Sequence, residues 1–97
     1  LPFWLSPVQV CVIPIADRHL DYARKVKNEL SDFRVEISDR QETLGKKIRE
    51  AEMQKIPCIL VVGDKEIASN SVGLRERGRG DVGTMPLDEF IKKYART

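Results

Sequence analysis

Apolar residues change their spacing several times along this chain, and each change marks an element. Val8 to Ile13 is rich in β-branched residues and reads as a strand stopped by Pro14. Asp17 stands where a helix N-cap belongs, and Leu20, Ala23, Val26 or Lys27, Leu30 and Phe33 trace one helical face. Phe33, Val35 and Ile37 then alternate with Arg34, Glu36 and Ser38, the pattern of a strand wetted on one side. Leu44, Ile48 and Ala51 recur at i, i+4, i+7, which gives a second helix one apolar face. Lys46, Lys47, Arg49 and Gln54 point elsewhere and form a basic, solvated side, until Pro57 ends the helix.

Cys58 to Val62 is an uninterrupted apolar run, as expected of a strand buried on both faces. Gly63-Asp64-Lys65-Glu66 breaks it as a turn at the carboxyl end of a central parallel strand, the edge where open α/β sheets bind ligands. Ser69-Asn70 reads as a turn, Val72 and Leu74 alternate with Gly73 and Arg75 in a half-exposed strand, and Gly78-Arg79-Gly80 turns the chain again. Val82 to Met85 gives a last short strand. Pro86, Asp88 and Glu89 suit a helix first turn, and Leu87, Phe90, Ile91 and Tyr94 fall at i, i+3, i+4, i+7, so that helix packs back on the sheet. The strands after Lys65 have no crossover helix between them, so one runs antiparallel to the rest. The expected fold is α/β, a mixed, roughly five-stranded sheet flanked by about three helices.

Composition narrows the class without naming a function. Ninety-seven residues with 41% hydrophobic content suit one soluble domain. No run approaches the ~18 apolar residues of a membrane span, and no signal-peptide layout is present. The net charge is only +2 although 33% of residues are charged, so any nucleic-acid contact must come from a local patch. Cys11 and Cys58 lie within expected buried strands, with no C-x-x-C and one distant histidine, and read as structural thiols in a reduced cytoplasmic chain rather than zinc ligands.

Motifs that suggest chemistry have simpler readings. Arg79-Gly80-Asp81 spells an adhesion tripeptide but reads as a tight turn, and Gly78 and Gly80 lack the spacing of a phosphate-binding fingerprint. His19 reads as a solvated helix residue, Asp64 and Glu66 as a turn or recognition pair, and no nucleophile has an obvious base beside it. No catalytic site and no metal site is expected.

Several separated segments nevertheless agree with one family. Lys46-Lys47-Ile48-Arg49-Glu50-Ala51, Gln54-Lys55-Ile56-Pro57 and Val61-Val62-Gly63-Asp64-Lys65-Glu66 resemble the C-terminal anticodon-binding domain of threonyl-tRNA synthetases. Asp81-Val82-Gly83-Thr84-Met85 before a final helix is similar too. Leu1-Pro2-Phe3-Trp4-Leu5-Ser6-Pro7 resembles the junction where a class II catalytic domain hands over to that module. This implies a junction at residues 1–7 and an anticodon-binding domain at 8–97.

The resemblance implies that the chain reads the anticodon of threonine tRNA while an upstream catalytic domain of the same polypeptide, itself holding ATP and a candidate zinc site, attaches threonine. That parent would be a homodimer, and this segment would need no cofactor. Glu66 and Arg75 match family residues that contact the anticodon, and Gln41 stands where many members have asparagine. Lys46 and Arg49 are candidate phosphate contacts, set against a plain solvated face supported by pairs such as Lys47–Glu50. Arg77 and Arg79 form a broken basic patch. Phe3, Trp4 and Leu5 are expected to be extended and to dock on the catalytic domain, the alternative being that Trp4 folds onto this domain's own sheet edge. Two alternatives remain at this level: the histidyl, prolyl or glycyl counterpart, and a protein-interaction module that kept the fold without RNA binding.

Overall fold

The computed structural model describes residues 2–95; Leu1 of the expected junction and Arg96 and Thr97 of the expected domain lie outside the described residues. Strands β1 (Val10–Pro14), β2 (Val35–Ile37), β3 (Cys58–Val62), β4 (Ser71–Glu76) and β5 (Gly80–Pro86) form one sheet in the order β2-β1-β3-β4-β5. β1 pairs parallel with β2 and β3, and β4 pairs antiparallel with β3 and β5. The helices are α1 (Leu20–Glu29), α2 (Leu44–Met53), α3 (Asp64–Ser69) and α4 (Leu87–Tyr94). The mixed five-stranded sheet is as expected, and β4 is the one strand that runs against the others.

The pleat of the sheet sorts the core into two layers. Val10, Val12, Cys58, Leu60, Val62, Val72 and Leu74 face α1 and α4, where they meet Ala23, Val26, Leu30, Leu87 and Phe90. On the other face Cys11, Ile13 and Ile59 meet Ala51 of α2, with Leu44, Ile48 and Val61 at the margin. Burial pushes both thiols, Cys11 and Cys58, up to about 11, so they stay protonated and behave as small apolar residues. One helix cannot cover a five-stranded face. α2 sits over β1, and the β4–β5 half of that face is left open.

Several expectations need correction. The four helices among the described residues agree with the roughly three expected, but Gly63-Asp64-Lys65-Glu66 is not a simple turn: Asp64 begins α3 and Glu66 lies in its first turn. Asp17 is the first residue of a 3-10 turn (Asp17–His19), whose N-cap is Ala16, and the N-cap of α1 is His19. α2 stops at Met53 before Pro57 is reached. Lys55 adopts φ 62, and the amides of Lys55 and Ile56 return to the Glu52 and Ala51 carbonyls. The first strand starts at Val10 and includes Pro14 as its last residue, and β5 is longer than Val82 to Met85. The Gly78-Arg79-Gly80 turn is as expected, with φ 85 and 75 at its two glycines.

The N-terminal segment folds onto this domain instead of extending away. Phe3–Leu5 is a 3-10 turn, Trp4 stacks on Phe33 with ring centroids 5.4 Å apart, and Phe3 lies 4.6 Å from the Tyr94 ring. The Arg34 guanidinium donates to the Trp4 and Ser6 carbonyls, and buried Gln9 bridges the Phe3 carbonyl and the Arg34 amide. Leu5 alone of the three stays 67% exposed. The prolines flanking this segment favour extended backbone, but an aromatic surface within reach on Phe33 and Tyr94 outweighs that preference.

Candidate nucleic-acid interface

The open half of the α2 face is a shallow groove. Register builds its floor: Val61 pairs with Gly73, Ile59 with Arg75, and Gly73 in turn with Thr84, and paired residues across a sheet point the same way. Leu44 and Ile48 of α2 form one wall, Glu66 of α3 closes one end, and Arg75, Asp81 and Thr84 form the rest. Glycine at position 73 keeps the floor low; a Cβ there would sit 3.4 Å from the Val61 carbonyl oxygen.

Glu66 and Arg75 therefore share one groove, and their side chains are differently prepared. Glu66 Oε1 accepts from the Gly63 amide at 2.8 Å, which caps α3 and fixes the carboxylate, while no hydrogen bond engages Oε2 among the described residues. Arg75 is half-buried, and its Nε is out of water without an acceptor. No ion pair joins it to Glu66 or Asp81 among the described residues; Asp81 Oδ1 instead takes the Gly83 amide at 2.9 Å. An acceptor and a donor fork thus face the same space without satisfying each other. That arrangement suits a planar ligand with both donors and acceptors on its edges.

The other candidates lie apart from this pair. Gln41 is exposed in the loop before α2, 3.5 Å from Asp17 Oδ2, in a neighbouring depression with Ile15, Ala16 and Thr43. The first turn of α2 separates the two depressions, since Thr43 lines one and Leu44 the other. Lys46 is exposed but already pairs with Glu42 at 2.6 Å. That contact raises the lysine's pKa and lowers the carboxylate's. Arg49 is exposed with no hydrogen bond or ion pair among the described residues, so its charge is available to a phosphate.

Two basic-face expectations were wrong. Lys47 does not join the solvated side: it is only 6% exposed, and its Nζ donates to the Pro14 carbonyl at 3.3 Å. A Lys47–Glu50 pair does not form; Glu50 is taken by Arg40 at 2.8 Å. His19 is not a solvated helix residue either: it is 2% exposed and bonded to Asp64. Sequence reasoning missed Gly73 and Thr84 as groove residues, because only the strand register brings them beside Arg75. No group of three His, Cys, Asp or Glu side chains gathers into a metal-binding cluster among the described residues. No helix among them is long and apolar enough to cross a membrane.

Comparison with known proteins gives this geometry a context. A family model described as "Anticodon binding domain" matches residues 9–97. The threonine–tRNA ligase of Sulfurihydrogenibium is 57% identical over 96% of this chain, and that of Clostridioides difficile 50% over 98%; the chain spans 15% of the length of each. Among solved structures, the RNA binding domain of threonyl-tRNA synthetase from Cryptosporidium parvum superposes with a TM-score of 0.91 at 35% identity, covering 98% of this chain and 24% of the other. Prolyl-tRNA synthetase from the same organism gives 0.82 at 27% identity, covering 96% of this chain and 21% of the other.

Proposed function

This chain belongs to the anticodon binding domain family and is homologous to the threonyl-tRNA synthetase members of it, and from that premise we propose that the Glu66–Arg75 groove reads the anticodon of threonine tRNA. Threonine anticodons share a middle guanine followed by a uridine, and loop bases are unstacked, so their edges are open to side chains. A carboxylate with one free oxygen accepts from the ring and exocyclic N–H groups of guanine. The Arg75 guanidinium forks to base acceptors or stacks on a base plane, and Gln41, one depression away, takes the uridine. Arg49 holds a phosphate; Lys46 contributes less because Glu42 already partners it.

The observation that supports this reading is the shared groove in which neither Glu66 nor Arg75 satisfies the other. On the same reading, a catalytic domain upstream of residues 1–7 attaches threonine with ATP, in a homodimeric cytoplasmic ligase. ATP and any zinc belong to that domain, and no step is assigned through them to residues of this chain.

A titration of the chain with a threonine anticodon stem-loop, followed by NMR, tests the reading. Binding is expected to shift the Glu66, Gly73, Arg75 and Thr84 amides. Glu66→Ala should weaken binding by roughly 1–3 kcal/mol while leaving a middle-base variant of the stem-loop nearly unaffected. Equal affinity of Glu66→Ala and the parent chain for both stem-loops would remove the assignment. A stem-loop carrying the proline anticodon, run alongside, separates threonyl from prolyl specificity.

A further inference from the structure

The groove depends on where Glu66 is held, and Glu66 sits on α3, a helix of six residues (Asp64–Ser69). A helix this short has little stability of its own, so its direction must be imposed by neighbours. Its first residue, Asp64, is gripped from the loop after β1. Arg18 donates to both carboxylate oxygens, at 3.3 and 2.7 Å, and His19 Nε2 lies 2.7 Å from Oδ1. His19 Nδ1 accepts the Ala16 amide at 3.0 Å, so the ring proton is at Nε2, aimed at Asp64.

The two grips differ in kind. Arg18 and Asp64 are both 69% exposed, and such a surface pair is mobile and weak. His19 is buried, so the packed loop fixes its ring, and its bond carries that fixed position to the start of α3. Glu66 lies two positions further on in the same first helical turn, where it also closes on the Gly63 amide. Tyr22 adds a last restraint, donating to the Ser71 carbonyl at 2.7 Å across the end of the helix.

We propose that His19 is a positioning residue: through its bond to Asp64 it orients α3, and so aims the free oxygen of Glu66 into the groove beside Arg75. Gly63-Asp64-Lys65-Glu66 then acts as one unit, with Asp64 as the anchor and Glu66 as the reader. The inference rests on the anticodon reading given above.

Two substitutions divide the histidine's bonds. Asparagine reaches only as far as Nδ1, so His19→Asn keeps an acceptor for the Ala16 amide and loses Asp64. Glutamine reaches as far as Nε2, so His19→Gln keeps a donor for Asp64. The readout is the ratio of affinities of the 97-residue chain for the threonine stem-loop and its middle-base variant, with the thermal midpoint measured beside it. We expect His19→Asn to lower the ratio by about tenfold and His19→Gln to hold it within about twofold of the parent chain. Asp64→Ala, at an exposed position, removes the acceptor for His19 Nε2 and should repeat the asparagine result, and it decides the matter if His19→Asn does not fold. Unchanged ratios in His19→Asn or Asp64→Ala, with Glu66→Ala still lowering the ratio, would overturn the positioning role alone. An unchanged ratio in Glu66→Ala would overturn the anticodon reading, and this inference with it.

Discussion

Arg75 holds its Nε out of water with no acceptor. A buried donor left unsatisfied costs about 1–3 kcal/mol, and on the proposed reading an acceptor on the bound base removes that cost. The planar fork decides what can replace it. Arg75→Lys is expected to lose as much stem-loop affinity as Arg75→Ala in the same titration, because an ammonium supplies neither the fork nor a stacking plane. Recovery of affinity by lysine would show that charge alone is used. That Glu66 and Arg75 lie on one face was legible in the sequence, because the strand ending at Gly63 and the strand carrying Arg75 were expected in one small sheet. The burial of Lys47 and His19 was not. Each looks polar and exposed in a local window, and its burial depends on a distant partner, the Pro14 carbonyl for Lys47 and Asp64 for His19.

At the scale of elements, apolar runs, alternation and helical spacing located the five strands and the three longer helices of the described residues, while α3 escaped them. Six residues give too few turns for an apolar stripe, and Asp64, Lys65 and Glu66 are all polar. The helix exists because it is capped and gripped from outside. A Cβ at Gly63 would displace the exposed Ile15 side chain and crowd Glu66 Oε1 at 3.3 Å. The grip also predicts a pH dependence. Arg18, then His19, hold the Asp64 carboxyl well below its ordinary value of 3.8. A carboxylate with a depressed folded-state pKa adds stability that is fully present above the unfolded value and lost as pH falls through the folded one. Thermal midpoints measured from pH 5 downward should therefore drop below about pH 4. That acid slope should be shallower in Asp64→Asn; equal slopes in the two chains would mean the pair contributes nothing to folding.

For the molecule as a whole, a net charge of +2 cannot hold RNA by field strength, so affinity must come from a few placed cations. Arg49, free of partners among the described residues, is the main candidate. Arg49→Ala is expected to weaken binding to all stem-loops about equally and to reduce the slope of log affinity against log salt by roughly 0.7. Lys46→Ala should change the slope less. A base-dependent loss in Arg49→Ala would instead make it a reader. That one strand after Lys65 runs against the rest followed from connection lengths, but the strand order and the open groove did not. The groove arises because one helix covers only part of a five-stranded face, and sequence pattern alone does not say which strands α2 leaves bare.

The most direct test of the central claim pairs a change in the protein with a change of one atom group in the RNA. Replacing the middle guanine of the threonine stem-loop by inosine removes the exocyclic amine that Glu66 is proposed to bind. The parent chain should bind the inosine stem-loop more weakly by roughly 1–3 kcal/mol, and Glu66→Ala should bind both stem-loops equally, so that the two changes together cost no more than Glu66→Ala alone. Fully additive losses would contradict the claim, because they would place Glu66 and the guanine edge at independent sites.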